Sequence, residues 1–332
     1  MPDLISPADD GQTSALTARV QAMRPWIDAL CRQDGVIAVG SLGGLHISRW
    51  RPVDRLSDVD ITVLLDLDLK PAMLALPWDE FICQVQPVLP RWLPNFKFCS
   101  PVDQLEVNVH QQILGYERQS HRVWDDLKCG IYVDGLSVLF DPDGALADLV
   151  RQKTSHFPAR CRSWLLRVGT YGRNLVDDAV PKCVRRGEMA AAWDLLHDVA
   201  GDVMVASFFA LGRWPPHPKW RFAQLRSLGL TRPIVAELVE LLTSVRMCGT
   251  SLDQAKAALG RCIDIILDLG HSYLPPGRTD LYGYALTHYF EDRQLRESTA
   301  ADAAIGPHRP YAQRMKDPQW NRVNFELPSV NS

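Results

Sequence analysis

Apolar periodicity changes near residue 155, and that change limits the possible architecture more than any other feature of the chain. Before it, short β-rich runs are separated by glycine and proline. Val36–Val39 ends at Gly40-Ser41, Val59–Leu65 runs into the polar stretch 66–70, and Leu105, Val107 and Val109 alternate with Glu106, Asn108 and His110. Such period-two alternation marks a strand with one polar face. Beyond residue 155 helical spacing takes over, in segments 159–178, 187–211, 220–228, 232–246 and 251–269. On the second of these, Met189, Trp193, Leu196, Ala200 and Val203 fall on one stripe, as in a helix packed within a bundle. The expected architecture is α+β over residues 1–153, a helical domain over 154–300 and a loosely docked tail over 301–332.

Within the first part, 15–34 reads as a helix ended by Asp34-Gly35. The prolines at 71, 77, 87 and 90 leave room only for short helices. Gly130–Val133, Asp134-Gly135 and Leu136–Phe140 read as a hairpin with an Asp-Gly turn.

The chain has 332 residues, 46% hydrophobic and 23% charged, ordinary values for a globular protein with a sizeable core. Its net charge of −3 offers no general basic excess for nucleic acid. The acidic N-terminus, MPDLISPADDGQTS, does not resemble a secretory signal, and no apolar run is long enough for a membrane span. Eight cysteines (31, 83, 99, 129, 161, 183, 248 and 262) lack CxxC spacing, which points to reduced thiols in a cytoplasmic protein rather than disulfides or zinc.

The chemistry-bearing stretch runs from Gly40-Ser41 to Ser57-Asp58-Val59-Asp60-Ile61. Residues two apart on a strand project to one side, so Asp58 and Asp60 form a carboxylate pair. Two such carboxylates repel, and one takes up a proton unless a cation lies between them. Their hard oxygens suit Mg²⁺, which completes its shell with phosphate oxygens and water. Gly40 lets the backbone approach a ligand closely, and its neighbour Ser41 adds a hydroxyl that could hold phosphate oxygens. Glu106, between Leu105 and Val107, is the best-placed third carboxylate for a two-metal site.

A strand ending in Gly-Ser, followed by Asp-x-Asp on the next strand and a later acid between apolar residues, resembles the DNA polymerase β-type nucleotidyltransferase superfamily. Ser57-Asp58-Val59-Asp60-Ile61 is most similar to the bacterial branch of aminoglycoside and lincosamide nucleotidyltransferases. The resemblance implies a mixed sheet flanked by helices, with a helical bundle after it. It assigns Asp58, Asp60 and Glu106 to metal binding and catalysis, and Gly40 and Ser41 to the triphosphate. Residues 185–225, with Arg185-Arg186-Gly187-Glu188, Trp193-Asp194 and Pro218-Lys219-Trp220, resemble the helical domain of uncharacterised nucleotidyltransferases, and there Lys219 would approach the nucleotide phosphates. One departure is the sixteen-residue gap between Ser41 and Asp58, longer than usual and containing Arg49-Trp50-Arg51-Pro52.

The implied reaction moves a nucleoside monophosphate, AMP from ATP, to a hydroxyl of a small molecule. An antibiotic or another metabolite could be the acceptor, and transfer requires Mg²⁺. Nucleotidylation of a protein or RNA partner is the alternative, and a non-catalytic nucleotide-binding module is a third reading. Oligomeric state stays open.

Several other residues have an ordinary and a sharper reading. Asp103 is a rival third acid just before the strand. Asp66 and Asp68 repeat the Asp-x-Asp spacing but fit a solvated loop, and His110 shares the strand face of Glu106. Asp194, Asp198 and Asp202 repeat every fourth residue and read as a solvated acidic face, although Asp194 or Glu188 could recognise a cationic acceptor. His197, Trp78, Trp92, Trp164 and Trp220 read as packing or surface residues.

Overall fold

The computed structural model describes residues 10–42, 59–76, 80–81, 84, 97–99, 106–120, 122–246 and 250–274. These fall into two compact units that part between Lys153 and Thr154.

In the first unit, helix α1 (Asp10–Cys31) leads through Gly35 into strand β1 (Val36–Ser41). Gly35 has a φ of +82°, a left-handed conformation that glycine adopts without strain, and its carbonyl accepts from the Asp66 amide at 2.8 Å. Strand β2 (Val59–Leu65) and the short helix α2 (Pro71–Leu74) follow. Next come strands β3 (Lys97–Cys99) and β4 (Glu106–Ile113), the latter running straight into helix α3 (Leu114–Glu117). Helix α4 (Asp126–Gly135), strand β5 (Ser137–Phe140) and helix α5 (Ala145–Thr154) complete this part.

The five strands form one mixed sheet in the order β3-β4-β2-β1-β5. Only β2 and β4 are parallel; the other three pairings are antiparallel. Parallel neighbours need a crossover, and the long passage from Leu65 to Glu106 provides it. Alternation gives the sheet two different faces. Val39, Ile61, Val63, Val107 and Val109 pack with Met23 and Ile27 of α1 in the main core. Asp60 and Thr62 of β2, with Asn108, His110 and Gln112 of β4, have the opposite parity.

Helix α4 replaces the first arm of the hairpin expected over 130–140. Asp125 caps it, its carboxylate accepting from the Lys128 amide at 2.6 Å, and Cys129 and Tyr132 are buried one turn apart. A short apolar run such as Gly130–Val133 has no period of its own, so the cap and the packing of Tyr132 on β2 decide its conformation. Ser137–Phe140 is the expected strand, but it pairs with β1.

The second unit is helical. Helix α6 (Phe157–Leu166) continues through two π-helical stretches, Arg167–Gly172 and Leu175–Ala179, into α7 (Val180–Arg185). Helices α8 (Met189–Ala210), α9 (Pro218–Gly229), α10 (Pro233–Arg246) and α11 (Leu252–Leu269) follow. Their positions match the helical periodicity, and α11 begins with a capping box between Ser251 and Gln254.

Helix α8 is the centre of this unit and packs against α6, α7, α9, α10 and α11. Its buried stripe runs through Ala192, Leu196, Val199, Ala200 and Val203, after which every residue to Ala210 is buried. Met189, expected on the stripe, is 45% exposed in the first turn, and Trp193 is half-buried beside His197. The fold class is thus α+β, a mixed sheet flanked by helices together with a helical bundle. No described helix is long and apolar enough to cross a membrane. The expected tail over 301–332 lies outside the described residues.

Candidate functional site

Asp60 is the fixed point of the site. It stands second on β2, directly across the parallel ladder from Asn108. The Asn108 Nδ2 donates to Asp60 Oδ1 at 3.1 Å, and His110 Nε2 lies 3.4 Å from the same oxygen. The Asp60 carbonyl accepts from the Leu42 amide at 2.8 Å, so the end of β1 is tied to the same residue. Asn108 is buried in the sheet, whereas the side chains of Asp60 and His110 keep 22% and 29% of their exposure. A carboxylate held from below and partly open above can take a further ligand from solvent.

Beneath this edge lies a closed polar network. Thr62 and Tyr132 share a hydrogen bond of 2.7 Å, which fixes α4 to the strand that carries Asp60. Lys128 Nζ donates to Gln112 Oε1 at 2.8 Å and to Glu117 Oε1 at 2.9 Å, and the Trp124 indole N–H donates to Glu117 Oε2 at 2.5 Å. Burial raises the Glu117 carboxyl, but Lys128, the Trp124 N–H and Lys153 outweigh it and hold the group below the ordinary carboxylate range. Burial likewise pushes the Tyr132 phenol upward, against the opposing hydrogen bond from Thr62, so it stays a neutral hydroxyl. The network is internally satisfied and serves to position the sheet.

The expected site residues divide as follows. Gly40 stands opposite Thr62 and therefore has the parity of Asp60. Its missing side chain has a local cause, because a Cβ there would lie 2.5 Å from Leu136 Cδ1 and 3.1 Å from Thr62 Cγ2. Ser41 stands opposite Ile61, is fully buried, and so belongs to the other face of the sheet. Glu106 opens β4 opposite Cys99 of β3 and has the parity of Asn108 and His110. Asp58, Asp103 and the side chain of Glu106 lie outside the described residues, as do Trp78 and Trp92.

In the second unit, Lys219 is exposed in the first turn of α9. The His217 imidazole accepts from its amide at 3.3 Å, and its Nζ lies 5.7 Å from the centre of the Trp220 ring. Asp194, Asp198 and His197 are exposed, while Asp202 is bound to Arg167 Nε at 2.7 Å. Asp66 and Asp68 are exposed loop residues.

Among the described residues no three His, Cys, Asp or Glu side chains gather to hold a metal ion. Of the expected trio only Asp60 is described in full. The Asp60 carboxylate offers hard oxygen donors, a type that suits Mg²⁺ better than a soft metal. Asn108 had no role in the sequence reading. Its signal was available, since it is two residues beyond Glu106 on a strand whose polar face was evident, but an amide carries no charge to draw attention.

No protein-family model and no curated protein matches the sequence. Among solved structures, this chain is similar to a nucleotidyltransferase-like protein from Exiguobacterium sibiricum 255-15, determined at 1.90 Å resolution. The likeness covers 86% of this chain and 88% of the other, at 16% identity and a TM-score of 0.39. At that level it carries no argument about function.

Proposed function

We propose that this protein is a nucleotidyltransferase that moves a nucleoside monophosphate from a nucleoside triphosphate, ATP in the first instance, to a hydroxyl group of a small molecule. The observation that carries this reading is the parallel pairing of β2 with β4. It gives Asp60 a position on the same sheet face as Glu106 of the neighbouring strand, although the two are far apart in sequence. Asp58, two residues before Asp60 in the sequence, is proposed to complete the acidic set.

Asp58, Asp60 and Glu106 would hold Mg²⁺, which when bound supplies charge neutralisation for the triphosphate and its departing pyrophosphate. The chain's own residues have separate tasks. Asn108 and His110 hold the Asp60 carboxylate in one orientation, and the Leu42 amide fixes its main chain. Thr62 and Tyr132 keep β2 and α4 in register below it. Gly40 allows the strand end to pass without a side chain on the Asp60 face. Lys219 is proposed to meet the nucleotide phosphates, and an aminoglycoside- or lincosamide-like antibiotic is the first acceptor class to try.

Calorimetric titration with a non-hydrolysable ATP analogue, with and without Mg²⁺, tests the reading. Metal-dependent binding that disappears in Asp58→Asn and Asp60→Asn supports it and leads to acceptor screening by pyrophosphate release. Undiminished binding in both variants would remove these residues from the site.

A further inference from the structure

We propose that Asn108 is a positioning residue for the acidic site: it fixes the Asp60 carboxylate in the orientation needed to bind a divalent cation, with His110 as a second, weaker donor to the same oxygen. The inference rests on the nucleotidyltransferase reading and deepens it.

The geometry comes from the ladder itself. Neighbouring residues across a parallel pair share a face, so Asn108 is the side chain that β4 places beside Asp60. Its amide nitrogen is 3.1 Å from Oδ1, a good hydrogen-bond distance, while the 3.4 Å approach of His110 is longer. Asn108 is only 6% exposed, so its donor is held by the surrounding wall and does not wander in solvent. Asp60 is more exposed than its holder. The rigid partner therefore orients the reachable one.

The choice of an amide also has a chemical reason. A lysine or arginine at this position would orient Asp60 equally well, but its positive charge would oppose an incoming cation at close range. A second carboxylate at this position would repel the Asp60 charge directly. A neutral N–H donor aligns the carboxylate and leaves its charge for the cation. Hydrogen-bonding partners of metal-binding side chains typically alter metal affinity by about 10–100-fold when removed.

The test is Mn²⁺ binding to the full chain, followed by the loss of the free-ion EPR signal, for wild type, Asp60→Asn, Asn108→Leu and Asn108→Gln. Leucine keeps the branched outline of asparagine, slightly enlarged, without the donor, and glutamine returns an amide on a longer arm. The expected result is loss of binding in Asp60→Asn, an affinity about 10–100-fold weaker in Asn108→Leu, and partial recovery in Asn108→Gln. Asn108→Ser, which shortens the arm beyond reach of Oδ1, gives the same reading if the leucine variant does not fold. Wild-type affinity in folded Asn108→Leu or Asn108→Ser, with binding lost in Asp60→Asn, overturns the role of Asn108 and leaves the nucleotidyltransferase reading standing. Mn²⁺ binding that is absent from wild type, or equal in wild type and Asp60→Asn, overturns both. A purely structural Asn108 would lower the melting temperature without moving the Mn²⁺ affinity.

Discussion

Gly40→Ala separates two reasons for a glycine at the end of β1, close packing and access for a ligand. The added methyl would meet Leu136 Cδ1 at 2.5 Å, Thr62 Cγ2 at 3.1 Å and the Ser137 carbonyl at 3.3 Å. Leu136 is only half-buried, but moving its end away from the methyl gives up part of its packing. Thr62 cannot move, being fully buried and hydrogen-bonded to Tyr132. Overpacking of this kind costs about 1–3 kcal/mol. Replacing glycine by alanine where the backbone is compatible returns about 0.4–1 kcal/mol through the unfolded chain. The net expectation is a loss of about 1–2 kcal/mol.

Native-state hydrogen exchange at the β1 and β2 amides measures this loss in the first unit alone. The decisive comparison adds Leu136→Ala, which removes the closest atom. In that background Gly40→Ala should cost about 1 kcal/mol less, a coupling within the usual range for residues in contact. A Gly40→Ala cost that is the same with or without Leu136 would refute the packing argument. A fall in affinity for the ATP analogue that persists in the stable double variant would instead assign Gly40 to the ligand.

The Glu117–Lys128 pair makes a second prediction, through pH. Because the folded carboxyl lies below the ordinary glutamate value of 4.5, its stabilisation is present above that value and is lost as pH falls through the folded one. Glu117→Gln should destabilise the first unit by about 3–5 kcal/mol at neutral pH, leaving Lys128 buried without its counter-charge, and should flatten the acid limb of a pH–stability profile. An unchanged acid limb in the variant would be evidence against this. For the thiols, burial pushes Cys161 and Cys262 up to about 12. At pH 8 only about one such group in ten thousand is a thiolate, so both should resist a thiol reagent until denaturant is added. Rapid labelling of either in the native protein, located by peptide mass, would contradict the packing around them.

The helical half was legible because its segments are long and their period is sustained. Length agrees with pattern in α8 and α11, a capping box adds to it in α11, and packing then buries the expected stripe of α8 beyond its first turn. The strands β1, β2 and β4 were legible for a similar reason, their β-branched runs being bounded by glycine or polar residues. The segment 130–133 was not, because four apolar residues carry no usable period and the outcome depended on where Tyr132 could be buried. Asp60 and the parity of Glu106 could be read from alternation alone. The partner strand could not, since a parallel ladder leaves no turn in the sequence to announce it. Hence the alternation puts Asn108 on the polar face with Glu106 and His110 but does not name Asp60 as its partner.

The pairing of β2 with β4 also has a consequence for assembly of the protein. Asp60 and Asn108 meet only after the chain between the two strands has looped back, and no local turn can bring them together. Contacts between residues so far apart in sequence incur a loop-closure entropy before they gain stability, and they form late compared with helices such as α8. During synthesis, the bond between Asn108 and Asp60 must wait until Asn108 itself has emerged from the ribosome. The contact between Asp60 and Asn108 is therefore a product of long-range pairing in the first unit, and a chain halted before residue 106 carries Asp60 on a strand that lacks its parallel neighbour.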